Sequence, residues 1–250
     1  GENRAAKLRY PLYANTSLVT VSSAEVKWAY LEAMSLEETP DIVQPFGSSR
    51  TDVFFDQQFL DAQAAEALKI VPAIEGKKVI GYAPTFRGRV AAAQGPDELD
   101  LRLLKQRLGD DYGLLIKHHP HVVEVPPIPV DCQDFAFQVT DTMSIETLMC
   151  VSDICISDYS SLVFEYSLFE RPLAFFAYDR EDYDDWRGFY YDYDEVTPGP
   201  VAQTSQELAS LLSDVDGWFD AAAVRAFRDR FMAACDGRAT KRICDAVERL

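Results

Sequence analysis

The chain has 250 residues, 48% hydrophobic and 12% aromatic, enough to fill one large α/β core or two small ones. Asp and Glu outnumber Lys and Arg by 41 to 24, and the formal charge of −17 repels nucleic acid and anionic lipid, so no nucleic-acid partner is expected. A phosphate ligand must be held by a local basic cluster against that field, which makes every Arg, Lys and His in a loop informative.

Short apolar runs alternate with amphipathic stretches of helical length, the pattern of βα units around a mostly parallel sheet. In chain order it predicts a strand at 17–21, a helix at 23–34 with Val26, Tyr30, Ala33 and Met34 on one face, a strand at 42–46, a turn at Gly47 and a helix within 54–70. A second series then predicts strands at 78–82, 114–117, 135–139, 154–157 and 173–177, with helices at 97–108, 144–150 and 161–169 among them. Helices around 205–212, 218–234 and 240–250 close the chain.

A Pro and a Gly interrupt the pattern near 71–76. The residues after this break suffice for a doubly wound, Rossmann-like domain, whereas the front holds one or two βα units, too few to enclose a core. The expected organisation is therefore 1–70 as the tail of an N-terminal domain with its linker, and 71–250 as the Rossmann-like domain. The chain starts without Met, and an upstream region is expected. No run approaches 18 apolar residues and no signal pattern opens the chain, so a soluble protein is expected. The five cysteines are odd in number and contain no C-x-x-C, which reads as buried free thiols in a reducing cytoplasm.

In open α/β sheets ligands sit beyond the carboxyl ends of the strands, and four such loops stand out. Gly81-Tyr82-Ala83-Pro84-Thr85-Phe86-Arg87-Gly88-Arg89 offers a stiffened turn and a guanidinium fork suited to phosphate, or else a surface turn with solvated arginines. Lys117-His118-His119-Pro120-His121 holds all three histidines of the chain, for phosphate contact or acid–base work; a solvated loop and a metal site on His118, His119 and His121 are its rivals. Asp158-Tyr159-Ser160-Ser161 runs from a buried strand into a helix start, an anion cradle or plain N-capping. The fourth, 178–193, is dense in aromatics and acids around Arg180 and Arg187 and reads equally as a polyol- or ribose-binding lid and as a solvated acidic turn.

The order of these signals is specific. Residues 82–87 fit Y-A-P-T-[FW]-R, 117–120 fit K-x-H-P, 157–165 fit [ST]-D-Y-S-S-x-x-[FY]-[DE], and 187–190 fit R-G-F-Y; Pro198-Gly199-Pro200 and an S-x-E-L helix start at 205–208 come after them. Even Gly47-Ser48-Ser49-Arg50-Thr51-Asp52 looks like G-x-P-R-x-D, with Ser49 where proline is usual. Over most of its length the chain thus resembles the CDP-glycerol:polyglycerophosphate glycerophosphotransferases, the teichoic acid polymerases and primases.

The resemblance implies the C-terminal half of a GT-B fold and a transferase moving glycerol phosphate, or a related polyol phosphate, from a CDP-activated donor to a growing cell-surface polymer, with CMP released. It implies His119 as the catalytic residue, and Arg87, Ser160, Ser161 and Lys117 around the donor diphosphate. Glu165 and Asp158 would stand at the ribose or polyol and Arg187 at the polyol phosphate. No cofactor or metal is expected, the CDP-polyol being substrate, and the partners are that donor and a polymeric polyol-phosphate or glycan acceptor. The family's W-H-G-T-like segment is not found here, so donor binding with little or no transfer is expected of this chain alone. The expected place is the cytoplasm, the full-length protein peripheral to the membrane's inner face. Alternatives on the same fold are a GT-B glycosyltransferase or epimerase using a nucleotide sugar; a non-catalytic nucleotide-binding domain is the alternative of a different class.

Overall fold

A computed structural model of the chain describes residues 13–187 and 190–249, with backbone alone at residues 90 and 184–187. In chain order the elements are β1 (Val19–Thr20), α1 (Lys27–Met34), β2 (Val43–Gln44), α2 (Gln57–Ile70), β3 (Lys78–Tyr82), α3 (Leu101–Leu108), β4 (Tyr112–Ile116) and β5 (Ala136–Gln138). Next come α4 (Ile145–Val151), β6 (Ile154–Ser157), α5 (Leu162–Tyr166), β7 (Leu173–Phe176), α6 (Arg180–Arg187), β8 (Val201–Ala202), α7 (Ser205–Ser213), α8 (Val215–Trp218), α9 (Ala221–Phe231) and α10 (Ala239–Val247). Two compact units result, one of the described residues up to Gln57 with those from Ala226 on, the other Gln58–Arg225.

The larger unit carries a six-stranded sheet in the order β5-β4-β3-β6-β7-β8, parallel throughout. Counted from β3 this is the 3-2-1-4-5-6 order of a doubly wound Rossmann-like sheet, with the direction of winding reversing between β3 and β6. β6 and β7 are buried along their whole length, as helix-covered parallel strands must be, and read as continuous apolar runs. On one face Leu104 and Leu108 of α3 and Leu208, Ala209 and Leu212 of α7 pack with Ile80, Leu114, Ile154, Ile156 and Ala174 in a single core. A capping box starts α7, in which the Thr204 hydroxyl accepts from the Glu207 N–H while Glu207 reaches back to the Thr204 N–H.

In the smaller unit β1 and β2 pair in parallel, Val19 with Val43 and Thr20 with Gln44, over a core of Val21, Leu36 and Val43. The Gly47-to-Asp52 motif closes this unit. Gly47 has φ +88°, and a Cβ there would collide with the Ala234 carbonyl oxygen, so only glycine fits. The Asp52 carboxylate accepts from the N–H groups of Ala239 (2.9 Å) and Thr240 (2.7 Å), occupying unpaired donors at the start of α10. Arg242 on α10 donates in turn to the carbonyls of Phe46 and Ala234.

Several elements depart from the pattern-based expectation. The units divide at Gln57/Gln58, ahead of the 71–76 interruption: α2 belongs with the sheet, where the Thr147 hydroxyl of α4 donates to Gln63 Oε1 at 2.5 Å. From Ala226 on the chain joins the front piece, held by the Gly47 and Asp52 contacts. The helix expected at 218–234 is two, because Phe219 is extended and the Asp220 carboxylate accepts from the Ala222 and Ala223 N–H groups to restart the chain as α9. The 178–193 stretch contains α6, and 201–202 add a sixth strand. Cys244 is exposed, unlike the other four cysteines, which are buried. Among the described residues no helix is long and apolar enough to cross a membrane.

Candidate functional site

β3 and β6 are neighbours at the reversal point, so the segments leaving their carboxyl ends run side by side, and one carboxylate joins them. Asp158, the first residue after β6, has a side chain only 1% exposed. Its oxygens accept from the Thr85 N–H (3.0 Å), the Thr85 hydroxyl (2.8 Å), Arg87 Nη1 (3.0 Å) and the Tyr159 N–H (2.6 Å). Such a buried carboxylate is tolerable only because these donors replace water.

Arg87 bridges three strand ends. Nε and Nη2 form a fork on Asp179, just beyond β7, at 2.5 and 2.9 Å, and Nη1 reaches the Thr85 carbonyl (2.6 Å) as well as Asp158. Its plane lies among the rings of Tyr159, Tyr178 and Tyr183, 5.2, 5.3 and 5.6 Å from their centroids. Burial works to lower the guanidinium pKa, but the hydrogen bonds to Asp179 and the charges of Asp158 and Asp179 push it far above its ordinary value. The side chain is a permanent cation, spent on two carboxylates.

The histidines that follow β4 divide by role. His118 is 3% exposed, its Nδ1 has no hydrogen-bond partner in the described structure, and burial pulls its pKa below the usual imidazole value, opposed by the charge of Asp97. His119 and His121 are exposed, with ring centroids 4.5 Å apart, and His119 leans on Phe86 at 5.0 Å. The His121 N–H donates to His119 Nδ1 (3.1 Å), which leaves the proton of a neutral His119 ring on Nε2. Lys117 Nζ donates to the Thr140 carbonyl (2.7 Å), clamping the β5–α4 connection; burial lowers its pKa, opposed by Asp141 and Glu146. Among the described residues no three His, Cys, Asp or Glu converge as a metal set.

Beyond Asp158 the chain turns into α5, where Ser160 Oγ accepts from the Leu162 N–H (3.2 Å) and Ser161 is exposed. Glu165 lies one turn further on, half-buried. A cavity of about 160 Å³ opens here, with Ser160, Ser161 and Phe164 on one wall and Tyr190, Tyr191, Tyr193 and Val196 on the other. The Tyr193 hydroxyl donates to the Asp158 carbonyl (2.9 Å), pinning the second wall to the first.

The expected residues are thus sorted. Arg87 and Asp158 are joined to each other, and Asp158, Ser160 and Ser161 share the cavity; neither Arg87 nor His119 lines it. Asp158, expected at the ribose or polyol, has its carboxylate turned inward and occupied. Lys117 is engaged with backbone. The Arg187 side chain lies outside the described ones. Sequence reasoning missed Thr85, Tyr159 and Asp179; the one available signal for Asp179 was its place directly after an apolar strand.

The pattern of CDP-Glycerol:Poly(glycerophosphate) glycerophosphotransferase matches residues 5–249. Among similar proteins, a teichoic acid poly(ribitol-phosphate) polymerase of Bacillus spizizenii is 36% identical over 237 residues, covering 94% of this chain and 38% of the relative. A teichoic acid glycerol-phosphate transferase of Staphylococcus aureus is 36% identical over 180 residues, covering 68% of this chain and 45% of the relative. A solved structure of a variant of the wall teichoic acid polymerase TagF superimposes with a TM-score of 0.82 at 28% identity, covering 98% of this chain and 61% of that one, and carries the fold into the GT-B-like class. The chain therefore spans less than two thirds of the length of each of these. With the motifs of the strand-end loops in place along a doubly wound sheet and the pattern matched almost from end to end, the chain belongs to the CDP-glycerol:poly(glycerophosphate) glycerophosphotransferase family.

Proposed function

We propose that this chain binds a CDP-activated polyol at the reversal point between β3 and β6, and serves the transfer of its polyol phosphate to a surface polymer. The observation that carries the reading is the Asp158 junction, which fixes the β3 loop against the Ser160-Ser161 turn where the doubly wound architecture puts its ligand. The Ser160 and Ser161 hydroxyls hold the diphosphate, Glu165 stands at the ribose and Arg187 at the polyol phosphate. Arg87, with its Nε, Nη1 and Nη2 all engaged, acts as a strut that shapes the diphosphate site, as do Lys117 and Asp158. The cavity of about 160 Å³ is below the roughly 300–1,000 Å³ that encloses a whole drug-sized ligand, so it takes one part of the donor.

In the transfer an acceptor hydroxyl attacks the donor's β-phosphorus; the new P–O bond forms as the bridging P–O bond breaks, and CMP leaves. The acceptor hydroxyl's proton passes to the departing CMP or to solvent, His119 Nε2 donates a hydrogen bond to the departing phosphate, and the Ser160 and Ser161 hydroxyls meet the charge growing on the phosphoryl oxygens. The polymer acceptor, an acceptor-side role for the front residues and a donor-side role for the Gln58–Arg225 unit, and a cytoplasmic place at the membrane face belong to the same proposal.

A thermal-shift series with CDP-glycerol, CDP-ribitol and UDP-sugars tests it. At a hundredfold excess over Kd a ligand stabilises by about 2.7 kcal/mol, which in a chain of this size raises Tm by roughly 5–10 °C. That rise is expected with a CDP-polyol; stabilisation by UDP-sugars alone overturns the reading.

A further inference from the structure

At the β8 edge of the sheet, α7 and α8 line a groove of about 490 Å³, within the roughly 300–1,000 Å³ that takes a small ligand. No Lys, Arg or His lines it, and the sequence has none from 188 to 224, so nucleotides, phosphate and polyol-phosphate chains are repelled. The side-chain donors of its wall are largely spent inside the fold. Trp218 Nε1–H donates to the Leu211 carbonyl (2.8 Å) and the Ser210 hydroxyl to the Gln206 carbonyl (2.9 Å). Acceptors remain: Glu207 uses Oε2 on the N–H groups of Gln203 and Thr204, and neither Glu207 nor Asp214 is in an ion pair among the described residues. Glu207, Ser210, Leu211 and Asp214 fall at i, i+3, i+4 and i+7, one stripe of α7 and its C-cap, with the two acids about 10 Å apart along the axis and Leu211 between them.

We propose that this groove is a binding site for a linear oligoamine, its ammonium ends on Glu207 and Asp214 and its methylene chain along Leu211 and Trp218. An ammonium brings three donors and no acceptor, the complement of a wall with acceptors to offer. The indole adds attraction for the cation and apolar cover for the chain. A sugar or polyol carries acceptors as well as donors, and beyond the Gln206 amide no lining side chain has a donor left for them. A single ammonium meets one carboxylate and leaves the other bare, so the spacing selects a ligand charged at both ends. None of these residues belongs to the donor site proposed above.

Titration of the whole chain with spermidine tests this, followed by NMR at the indole N–H signals of its three tryptophans, with that of Trp218 identified through Trp218→Phe. A saturable shift of the Trp218 signal alone is expected, and butylamine, which carries one ammonium, is expected to bind at least about tenfold more weakly. Asp214→Asn and Glu207→Gln should each weaken spermidine by about threefold to fivefold; glutamine preserves the capping box, so α7 starts as before. Glu75→Gln, at an exposed acid outside the groove, should leave the affinity unchanged. If either groove variant fails to fold, the comparison of amines on the unaltered protein decides. Spermidine shifting all three indoles alike, butylamine matching it, or Glu75→Gln costing as much as the groove variants overturns the proposal, because the binding is then a general attraction to an acidic surface. An unmoved Trp218 signal overturns it outright.

Discussion

Replacing Asp158 by Ala tests the central junction most directly. The change strips the shared acceptor from the Thr85 N–H and hydroxyl, the Tyr159 N–H and Arg87 Nη1 at a side chain 1% exposed, where water does not substitute. Breaking a buried ion pair by removing one partner costs about 3–5 kcal/mol. Arg87 keeps Asp179, which holds the cost toward the lower end, while the orphaned Thr85 and Tyr159 donors push it back up. At roughly 2–4 °C per kcal/mol for a chain of this size, Tm falls by about 6–20 °C. Asp158→Asn keeps the shape but aims an amide NH₂ at groups that themselves donate, and is expected to fall between Ala and the unaltered protein. Differential scanning calorimetry reads both. A drop below about 2 °C for Asp158→Ala would refute the reasoning, since the junction would then be dispensable.

Three further outcomes are expected. His119→Ala leaves CDP-glycerol affinity within a fewfold and slows polymer transfer by about 10²–10⁴ in an enzyme assay on the protein in its transfer-competent form; unchanged transfer contradicts the leaving-group role. Asp52 is subject to burial that would raise its pKa, yet the Thr240 and Ala239 N–H groups and Arg242 hold it below the ordinary carboxylate value. Because the folded value is depressed, its contribution of about 1 kcal/mol is present above the ordinary carboxylate pKa and lost as pH falls through the folded one. Urea titrations should accordingly separate Asp52→Asn from the unaltered protein at neutral pH and bring the two together in strong acid; a gap that persists in acid contradicts the assignment. Gly47→Ala forces a methyl into the Ala234 carbonyl at positive φ and should destabilise by more than about 1 kcal/mol, read in the same titrations; a neutral effect contradicts the packing described.

The sheet is legible in the sequence because buried parallel strands are apolar runs bounded by breakers: β3 and β6 fall at the residues expected, 78–82 and 154–157. α6 is not, since Tyr183 is its one described buried side chain and acids crowd the rest; a helix held by pairing has no 3.6-residue stripe to read. That pairing, Arg87 with Asp179, spans 92 positions and leaves no local trace. The strand-end loops were identifiable from topology alone, yet the division of labour inside them was not. An arginine in a loop looks available for phosphate until its carboxylates are seen, and three clustered histidines look equivalent until alternation along an extended segment turns His118 inward and leaves His119 outside. Polyol choice is equally hidden: ribitol- and glycerol-phosphate enzymes are alike in identity to this chain, 36% each.

The discontinuous make-up of the smaller unit bears on synthesis. Residues up to Gln57 leave the ribosome ahead of the Gln58–Arg225 unit, and their partners, from Ala226 on, leave behind it. The Gln58–Arg225 unit can therefore fold while the segment before it still waits for the Ala234 carbonyl that packs on Gly47 and for the α10 start that Asp52 caps. A nascent chain stalled before α10 would leave the Asp52 carboxylate without its donors, and loss of α10 would harm the smaller unit before it harmed the sheet.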